Sequence, residues 1–312
     1  MPTHLVVGAG PIGTRTALLL AESGAHVRVV TRSGNGPDHP GVELVTADAA
    51  DPARMRTLAA DAVAVYNCAN PPYTRWDTDW PPLAASLLDA ASTTGAVLAT
   101  VSNLYGYGRV TGPIHDGSPL APCDHKGAVR ARMWTEALAA HEAGRVRAVE
   151  VRASDYADAG ASSHLARNAP AVLAGRAARV LGDADQPHSW TTTHDTARLL
   201  VDAAADERAH GRAWLVPTAP PRTQREALTD IATAAGMPAP RVSVLGPRAL
   251  RVLGVVSPML RELAGTAYQF TAPFVLDHSA TVRHFGWEPE EWAVTVERVV
   301  HDARLTSAAG AR

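Results

Sequence analysis

A glycine-rich turn near the start of the chain is the segment whose residue types and spacing point most directly to chemistry. An apolar run at residues 5–7 leads into Gly8, Ala9, Gly10, Pro11, Ile12 and Gly13, and an amphipathic stretch follows. In a strand–turn–helix context, Gly8 permits the tight turn, Gly10 lets the backbone approach a pyrophosphate, and Gly13 packs the helix against the sheet. The helix N-terminus adds N–H groups and a positive dipole end. The whole motif therefore predicts a dinucleotide-binding site.

The predicted second strand, residues 26–30, bears on which dinucleotide fits. In an NAD site, an acidic residue near the end of this strand holds the ribose 2′-hydroxyl. Here the strand runs into Thr31, Arg32 and Ser33, with no carboxylate. A guanidinium flanked by two hydroxyls suits a 2′-phosphate, so we expect NADP(H) in preference to NAD(H). The alternative is that Arg32 is a solvated surface arginine.

Two further strand ends supply candidate cofactor contacts. Asp48 and Ala49 follow the third strand, where a carboxylate can meet the adenine amine. The alternative role for Asp48, capping the next helix, is better suited to Asp51. The fourth strand ends in residues that let a ribose pass close to the backbone: Asn67, Cys68 and Ala69.

Short β-type runs alternate with helical patterns through the first half of the chain, which is typical of a parallel α/β sheet. Strands are predicted at residues 26–30, 43–46, 62–66, 97–101 and 146–151, and helices at 11–23, 52–60, 81–93 and 126–143. Later helices are predicted at 162–174, 247–265 and 290–303. We predict a doubly wound parallel Rossmann sheet in an NADP-binding domain, residues 1–155. A smaller, mostly helical substrate lobe, residues 156–312, returns some segments to the sheet.

The composition excludes several other classes of protein. A hydrophobic content of 46% and a charged content of 19% are those of an ordinary globular protein. A net charge of −2 gives no electrostatic case for binding nucleic acid or a membrane. Two cysteines, Cys68 and Cys123, make no disulfide framework, which favours the cytoplasm. The 13 histidines show no metal-ligand spacing, so we expect no metal.

Several segments, in their order and spacing, resemble the extended short-chain dehydrogenase/reductase family, also called the NAD-dependent epimerase/dehydratase family. They are residues 8–13, Asp48, residues 67–69, residues 101–106, the helix with Lys126, and residues 190–195. The resemblance covers most of the chain. It implies a Ser or Thr that holds the substrate carbonyl, and a Tyr and a Lys spaced Y-x-x-x-K on one helix face. It also implies that the Tyr exchanges a proton with the substrate oxygen, and that homodimers form through the helices predicted at 81–93 and 126–143.

The tyrosine of that motif is missing from this chain. Ser102 matches the serine, although a purely structural role at the end of the fifth strand is its alternative. None of the six tyrosines precedes a lysine by four residues, and Lys126 is the only lysine among 29 Lys and Arg residues. Either Lys126 is the retained lysine, with Pro122 in the tyrosine position, or Lys126 takes the tyrosine position and Arg130 the lysine position. We favour the second register because it keeps the family's spacing after the serine and places both cations on one helix face.

The chemistry of Lys126 has two interpretations. Desolvated beside Arg130 and a cofactor, its amine would be able to donate or accept a proton. It would equally serve as a clamp on a phosphate or ribose, with no acid–base role. Arg130 stays charged at neutral pH and suits the ribose or an anionic substrate group. Tyr107 is the reserve candidate for the missing acid.

Aromatic residues cluster in the loops at predicted strand ends. Tyr73 and Trp76 follow the fourth strand, Tyr105 follows the fifth, and Trp190 lies in the later lobe. Core packing is the ordinary role of each such residue taken alone. Their clustering favours a pocket for a flat or apolar small-molecule substrate.

Three functions remain open on these residues. The first is an NADP(H)-dependent oxidoreductase acting on a carbonyl or hydroxyl group. The second is an epimerase, dehydratase or cyclase that keeps its dinucleotide and makes no net redox change. The third is a non-catalytic NADP-sensing regulator. The missing Y-x-x-x-K motif makes the first function less favoured and the other two more favoured.

Overall fold

The computed structural model describes residues 1–309. Its strands are β1 (Thr3–Val7), β2 (His26–Thr31), β3 (Val42–Thr46), β4 (Ala62–Asn67), β5 (Val97–Asn103), β6 (Arg147–Ala153), β7 (Ala178–Leu181), β8 (Ala213–Leu215) and β9 (Val242–Leu245). Its helices are α1 (Pro11–Glu22), α2 (Pro52–Ala59), α3 (Trp76–Thr94), α4 (His125–Glu142), α5 (Ala169–Leu173), α6 (Thr193–Ala205), α7 (Gln224–Ala234), α8 (Pro247–Leu253), α9 (Pro258–Thr266), α10 (Ser279–Phe285) and α11 (Trp292–Ala309).

Seven of the strands form one parallel sheet in the order β3-β2-β1-β4-β5-β6-β8. The predicted doubly wound sheet is therefore confirmed. The strand order reverses between β1 and β4, and ligands of such sheets bind at this switch point, outside the carboxyl ends of the strands. The loops that follow β1, β2, β3 and β4 all lie at that edge.

Burial on the sheet faces explains why these residues form strands. Leu5, Val7 and Val65 belong to one buried cluster that also contains Met55 of α2 and Leu87 of α3. Helices α2, α3 and α4 pack side by side, α2 against α3 and α3 against α4. Strands buried in this way read as nearly continuous apolar runs rather than as alternating patterns.

Two compact units divide the chain. The first comprises Met1–Gly108, Leu120–Ala153 and Thr196–Val216, and it contains the seven-stranded sheet. The second comprises Arg109–Pro119, Ser154–Asp195 and the residues from Pro217 onward. It is mostly helical and holds a small parallel sheet of β7 and β9. Compactness assigns no function to either unit, so the substrate-lobe role of residues 156–312 stays a prediction.

A buried histidine lies in the core of the second unit. Nε2 of His188 is 3.0 Å from Oδ2 of Asp155, its Nδ1 is 3.3 Å from the carbonyl oxygen of Gln269, and its ring stacks on Phe270. Burial raises the pKa of the Asp155 carboxyl, but the hydrogen bond and charge of His188 outweigh this effect and the pKa lies below its ordinary value. Through His188, the Asp155 carboxylate is thus hydrogen-bonded to a side chain that packs in the aromatic core.

Helix α3 begins at Trp76, five residues before the predicted start at Pro81. The prediction placed Pro81 in the first turn, where a missing N–H has no cost. In the structure Pro81 and Pro82 lie inside the helix and leave two carbonyls without their N–H partners. The buried rings of Trp76 and Trp80 extend the helix despite this loss.

Two predicted helices of the second unit are wrong in their extent. The helix predicted at 247–265 is two helices, because Pro258 cannot continue α8 and Ser257 caps α9 by accepting from the Leu260 N–H. The helix predicted at 162–174 is α5 alone, preceded by two 3₁₀ turns. There the Ser163 hydroxyl donates to the carbonyl of Tyr156 and holds the chain out of a regular helix.

Candidate functional site

The glycine turn between β1 and α1 is built by backbone contacts that only glycine allows. Gly8 has φ of +97°, and a Cβ there would lie 2.7 Å from the Cys68 carbonyl oxygen. A Cβ on Gly13 would lie 2.0 Å from the Gly8 carbonyl oxygen. A Cβ on Gly10 would meet nothing within 4 Å, and no side chain caps α1, whose first residues are Pro11 and Ile12. The turn therefore presents open space to the N–H groups at the start of α1.

A groove of about 590 Å³ lies in front of this turn. It is lined by residues that follow β1, β2, β3 and β4. Nine predicted cofactor residues line it: Gly8, Gly10, Thr31, Arg32, Ser33, Asp48, Ala49, Cys68 and Ala69. Asn67 does not line it; that side chain is buried and borders a separate water-sized cavity of about 20 Å³.

Arg32 is exposed at the rim of the groove, and no carboxylate of the described residues pairs with it. The residues on either side of Arg32 both hydrogen-bond to the backbone of Asn35. The Thr31 hydroxyl donates to the Asn35 carbonyl at 3.0 Å, and the Ser33 hydroxyl accepts from the Asn35 N–H at 3.4 Å. Asp48 accepts from the Ala50 N–H at 3.0 Å. The loop is ordered while the guanidinium stays available to an anion.

Sequence reasoning missed a second arginine in this groove. Arg75 lines it together with Asp79, and the two form an ion pair at 2.9 Å one turn apart. No motif marks Arg75. Its position became visible only because α3 starts at Trp76 and brings the preceding turn to the groove.

Cys68 is half-buried in the groove wall, and desolvation raises the pKa of its thiol to about 12. Cys123 is exposed. Because the thiolate is the nucleophile, we predict that one equivalent of N-ethylmaleimide reacts rapidly at neutral pH and that Cys123→Ser removes this fast phase. Mass spectrometry of the labelled peptides checks the result. Rapid labelling of Cys68 in the folded protein would contradict the burial argument.

Lys126 and Arg130 lie one turn apart on the buried face of α4, as predicted, and aromatic rings surround both. Lys126 is 1% exposed, and its ammonium donates to the Tyr73 carbonyl. Nζ is 4.0 Å from the centre of the Tyr73 ring and 5.1 Å from that of Trp76. The Arg130 guanidinium carbon is 4.1 Å from the centre of the Trp80 ring and 4.9 Å from that of Trp76. Cation–π contacts therefore stabilise the Lys126 ammonium and the Arg130 guanidinium, and all of these residues belong to the first unit.

The tyrosine that contacts this lysine is hydrogen-bonded to a second tyrosine. The Tyr73 hydroxyl donates to the Tyr105 hydroxyl at 3.3 Å, and the Tyr105 ring packs against Trp76. Helix α4 approaches the turn at Tyr105 closely because Gly127 has no Cβ. A Cβ there would lie 2.4 Å from the Tyr105 carbonyl oxygen. A tyrosine and the lysine thus come together from separate elements, although no Y-x-x-x-K spacing exists in the sequence.

Tyr107, the reserve acid, has another partner. Its hydroxyl is 2.6 Å from Nη1 of Arg152, which also donates through Nε to Glu150 at 2.6 Å. Burial lowers the pKa of Arg152, but Glu150 and Tyr107 outweigh it and the pKa lies above its ordinary value. These three side chains form a buried polar network on the sheet.

The remaining predicted residues are buried. Ser102 lies near the end of β5, beside Arg152 of β6 in register, and is 4% exposed. Trp190 lies in the core of the second unit, where its ring packs on His188 and its Nε1 donates to the Arg222 carbonyl. The geometry of Trp190 is that of a packed core residue of its own unit.

Comparison with known proteins adds a family and a fold. The model of the NAD dependent epimerase/dehydratase family matches residues 4–216. Solved structures of similar fold include UDP-glucose 4-epimerase from Thermotoga maritima with UDP-glucose, at 16% identity over 98% of this chain and 99% of that chain, TM-score 0.81. Another is dTDP-glucose 4,6-dehydratase from Bacillus anthracis in complex with NAD, at 17% identity over 99% and 98%, TM-score 0.79. A third is the Bordetella bronchiseptica enzyme WbmH in complex with NAD+, at 20% identity over 97% and 99%, TM-score 0.76.

No curated protein matches the chain. At such identities the solved structures establish the fold alone. Among residues 1–309, no helix is long and apolar enough to cross a membrane. Within the same part of the chain, no three His, Cys, Asp or Glu side chains are grouped so that they could hold a metal ion.

Proposed function

Because the chain belongs to the NAD dependent epimerase/dehydratase family, we propose that it is an NADP(H)-dependent oxidoreductase. Its substrate is a small aromatic or apolar molecule with a carbonyl or hydroxyl group. The observation that carries this proposal is the meeting of Tyr105, Tyr73 and Lys126 after β4 and β5. Residues after β4 also line the glycine groove, and β5 is the next strand in the sheet.

The groove fits a dinucleotide on its own geometry. Open space in front of Gly10 and the uncapped N-terminus of α1 suit a pyrophosphate. Its volume of about 590 Å³ is within the range of small-molecule and cofactor sites. Arg32 at the rim suits a 2′-phosphate, and no carboxylate occupies the position that would favour NAD.

The chain's own residues supply the proton chemistry. When held in the glycine groove, NADP(H) would supply or accept the hydride. At the attached oxygen, the Tyr105 hydroxyl gives or takes the proton. The hydrogen bond from Tyr73 stabilises the phenolate that forms when the Tyr105 proton leaves. The Lys126 ammonium, which packs on the Tyr73 ring, favours negative charge in this cluster. Ser102, three residues before Tyr105, orients the substrate oxygen.

Lys126 has a positioning role in this scheme rather than an acid–base role. Its ammonium is buried, hydrogen-bonded to the Tyr73 carbonyl and packed on two rings. These contacts all favour a fixed cation. The half-buried rings of Tyr73 and Tyr105, which pack on the buried Trp76, form the wall against which an aromatic or apolar substrate packs.

Arg32→Ala is expected to weaken NADPH binding by roughly 10- to 100-fold and to leave NADH binding unchanged. The reason is that a charge-assisted hydrogen bond to phosphate contributes roughly 1.5–3 kcal/mol. Titration by cofactor fluorescence measures both affinities. Arg54→Ala, at an exposed arginine outside the groove lining, is the matched control. An equal loss for the two dinucleotides would contradict the 2′-phosphate assignment.

The reaction itself is tested by following NADPH consumption with a panel of aldehydes, ketones and quinones. Turnover of at least one class supports the oxidoreductase. Family membership favours a second candidate, an epimerase or dehydratase with no net redox change. In that case we expect the purified protein to retain its dinucleotide and to convert a member of a sugar-nucleotide panel without consuming the dinucleotide. Tight binding of NADPH with no conversion of either panel would support the sensing role and overturn both enzymes.

A further inference from the structure

A helical hairpin of the second unit exposes a run of aliphatic side chains. In the turn between α8 and α9, Val255 and Val256 are 74% and 83% exposed. Val252, Leu253 and Met259 beside them are exposed as well. Single apolar residues on a surface are ordinary, whereas a contiguous patch marks an interaction site.

The hairpin is held in one conformation. The Arg261 guanidinium donates to the carbonyls of Gly254 and Val255 at 3.1 and 3.3 Å. A Cβ on Gly254 would lie 3.0 Å from the Cα of Arg261, so glycine allows the two helices to cross closely. Ser257 caps α9. The aliphatic side chains therefore project from an ordered turn.

The charge of α8 and of the turn after it has one sign. Residues 231–261 contain no Asp or Glu but four arginines, Arg241, Arg248, Arg251 and Arg261, and the first acidic residue after them is Glu262 in α9. Arg248 and Arg251 are exposed on α8 itself. A basic surface that also carries exposed aliphatic side chains has the two features that favour binding to anionic lipid.

We propose that the exposed turn between α8 and α9, together with the basic surface of α8, binds the surface of an anionic lipid bilayer. A second copy of this chain is a poor occupant, because a two-fold interface would bring the same arginines together. A protein partner is less favoured because Tyr, Trp and Phe, which are enriched in the cores of protein interfaces together with Met and Arg, are absent from residues 247–259. The expected absence of a membrane partner rested on the net charge of the whole chain, and surface binding depends on local charge and needs no membrane-spanning helix.

Flotation of the full chain with vesicles tests this surface. One set contains phosphatidylcholine alone, and the other an equimolar mixture with phosphatidylserine. We expect binding to the mixed vesicles only, weakening with added salt. Val255→Asp and Val256→Asp are each expected to reduce binding about tenfold or more, and Arg248→Gln and Arg251→Gln about fivefold each. Val294→Asp is the matched control, since Val294 is exposed in the first turn of α11, where an acidic residue is well tolerated.

Two results would overturn the proposal of lipid binding. Absence of flotation with the mixed vesicles overturns the proposal, as does flotation that survives both valine substitutions. A self-association in solution that Val256→Asp abolishes, with no flotation, would assign the patch to a second copy instead. Circular dichroism of each variant shows whether the fold is kept, and loss of binding counts only in variants with the wild-type spectrum.

Discussion

Tyr105→Phe is expected to lower NADPH-dependent turnover by roughly 10²- to 10⁴-fold, the range in which general acid–base catalysis contributes. The substitution removes one oxygen and keeps the ring that packs on Trp76. Binding of NADPH should stay within about twofold, because Tyr105 does not line the glycine groove. Stopped-flow absorbance of NADPH measures turnover, and fluorescence titration measures affinity.

Two neighbouring tyrosines serve as controls for this result. Tyr73→Phe removes the hydrogen bond to Tyr105 but not the acid, so we expect a smaller loss and a pH profile displaced upward. Tyr107→Phe changes a hydroxyl that is bound to Arg152, and we expect little effect on chemistry. Turnover that survives Tyr105→Phe and falls with Tyr107→Phe would reverse the two roles.

The residues that line the glycine groove could be predicted because their signals are local. Gly8, Gly10 and Gly13 have their effect within one turn, and Arg32 follows directly from a strand of predictable length. The parallel order of the strands then brings these loops to one edge. No contact between residues distant in sequence has to be known in advance.

The proposed catalytic cluster could not be predicted in the same way. Tyr73 follows β4, Tyr105 follows β5 and Lys126 lies in α4, and only the packing of α4 on the turn after β5 brings them together. A search for Y-x-x-x-K examines one helix face and cannot find a pair assembled across loops. The single lysine was the remaining signal in the sequence, and it pointed to α4 without indicating the tyrosine that Lys126 contacts.

Helix boundaries failed where tertiary packing overrode a local rule. Pro81 is a good first-turn residue, yet the packing of Trp76 and Trp80 on the α4 cations extends α3 beyond it. At Pro258 the local rule was right, and the continuous apolar pattern of residues 247–265 concealed the break. A periodic apolar pattern predicts which side chains share one face of a helix, but it does not predict where the helix ends.

Glu150→Ala is expected to destabilise the protein by about 3–5 kcal/mol, since removal of one member of a buried ion pair leaves the other charge uncompensated. The side chains of Glu150 and Arg152 are 3% and 6% exposed, and they meet at 2.6 Å. Arg152 cannot relieve the loss by giving up its proton, because guanidinium groups stay charged in proteins. Tyr107 would remain as a neutral partner only. Urea unfolding followed by circular dichroism measures the change.

Glu43→Ala is the matched control for that experiment. Glu43 pairs with Arg28 at 2.9 Å, but its side chain is 47% exposed, and exposed pairs contribute about 0–1 kcal/mol. Replacing Glu150 and Arg152 together by Met should recover most of the loss, because two apolar side chains of similar size leave no buried charge. If Glu150→Ala costs no more than Glu43→Ala, water reaches Arg152 and the network on β6 is not the buried ion pair described above. If the double Met variant is as unstable as Glu150→Ala, then packing, rather than the unpaired charge, accounts for the loss.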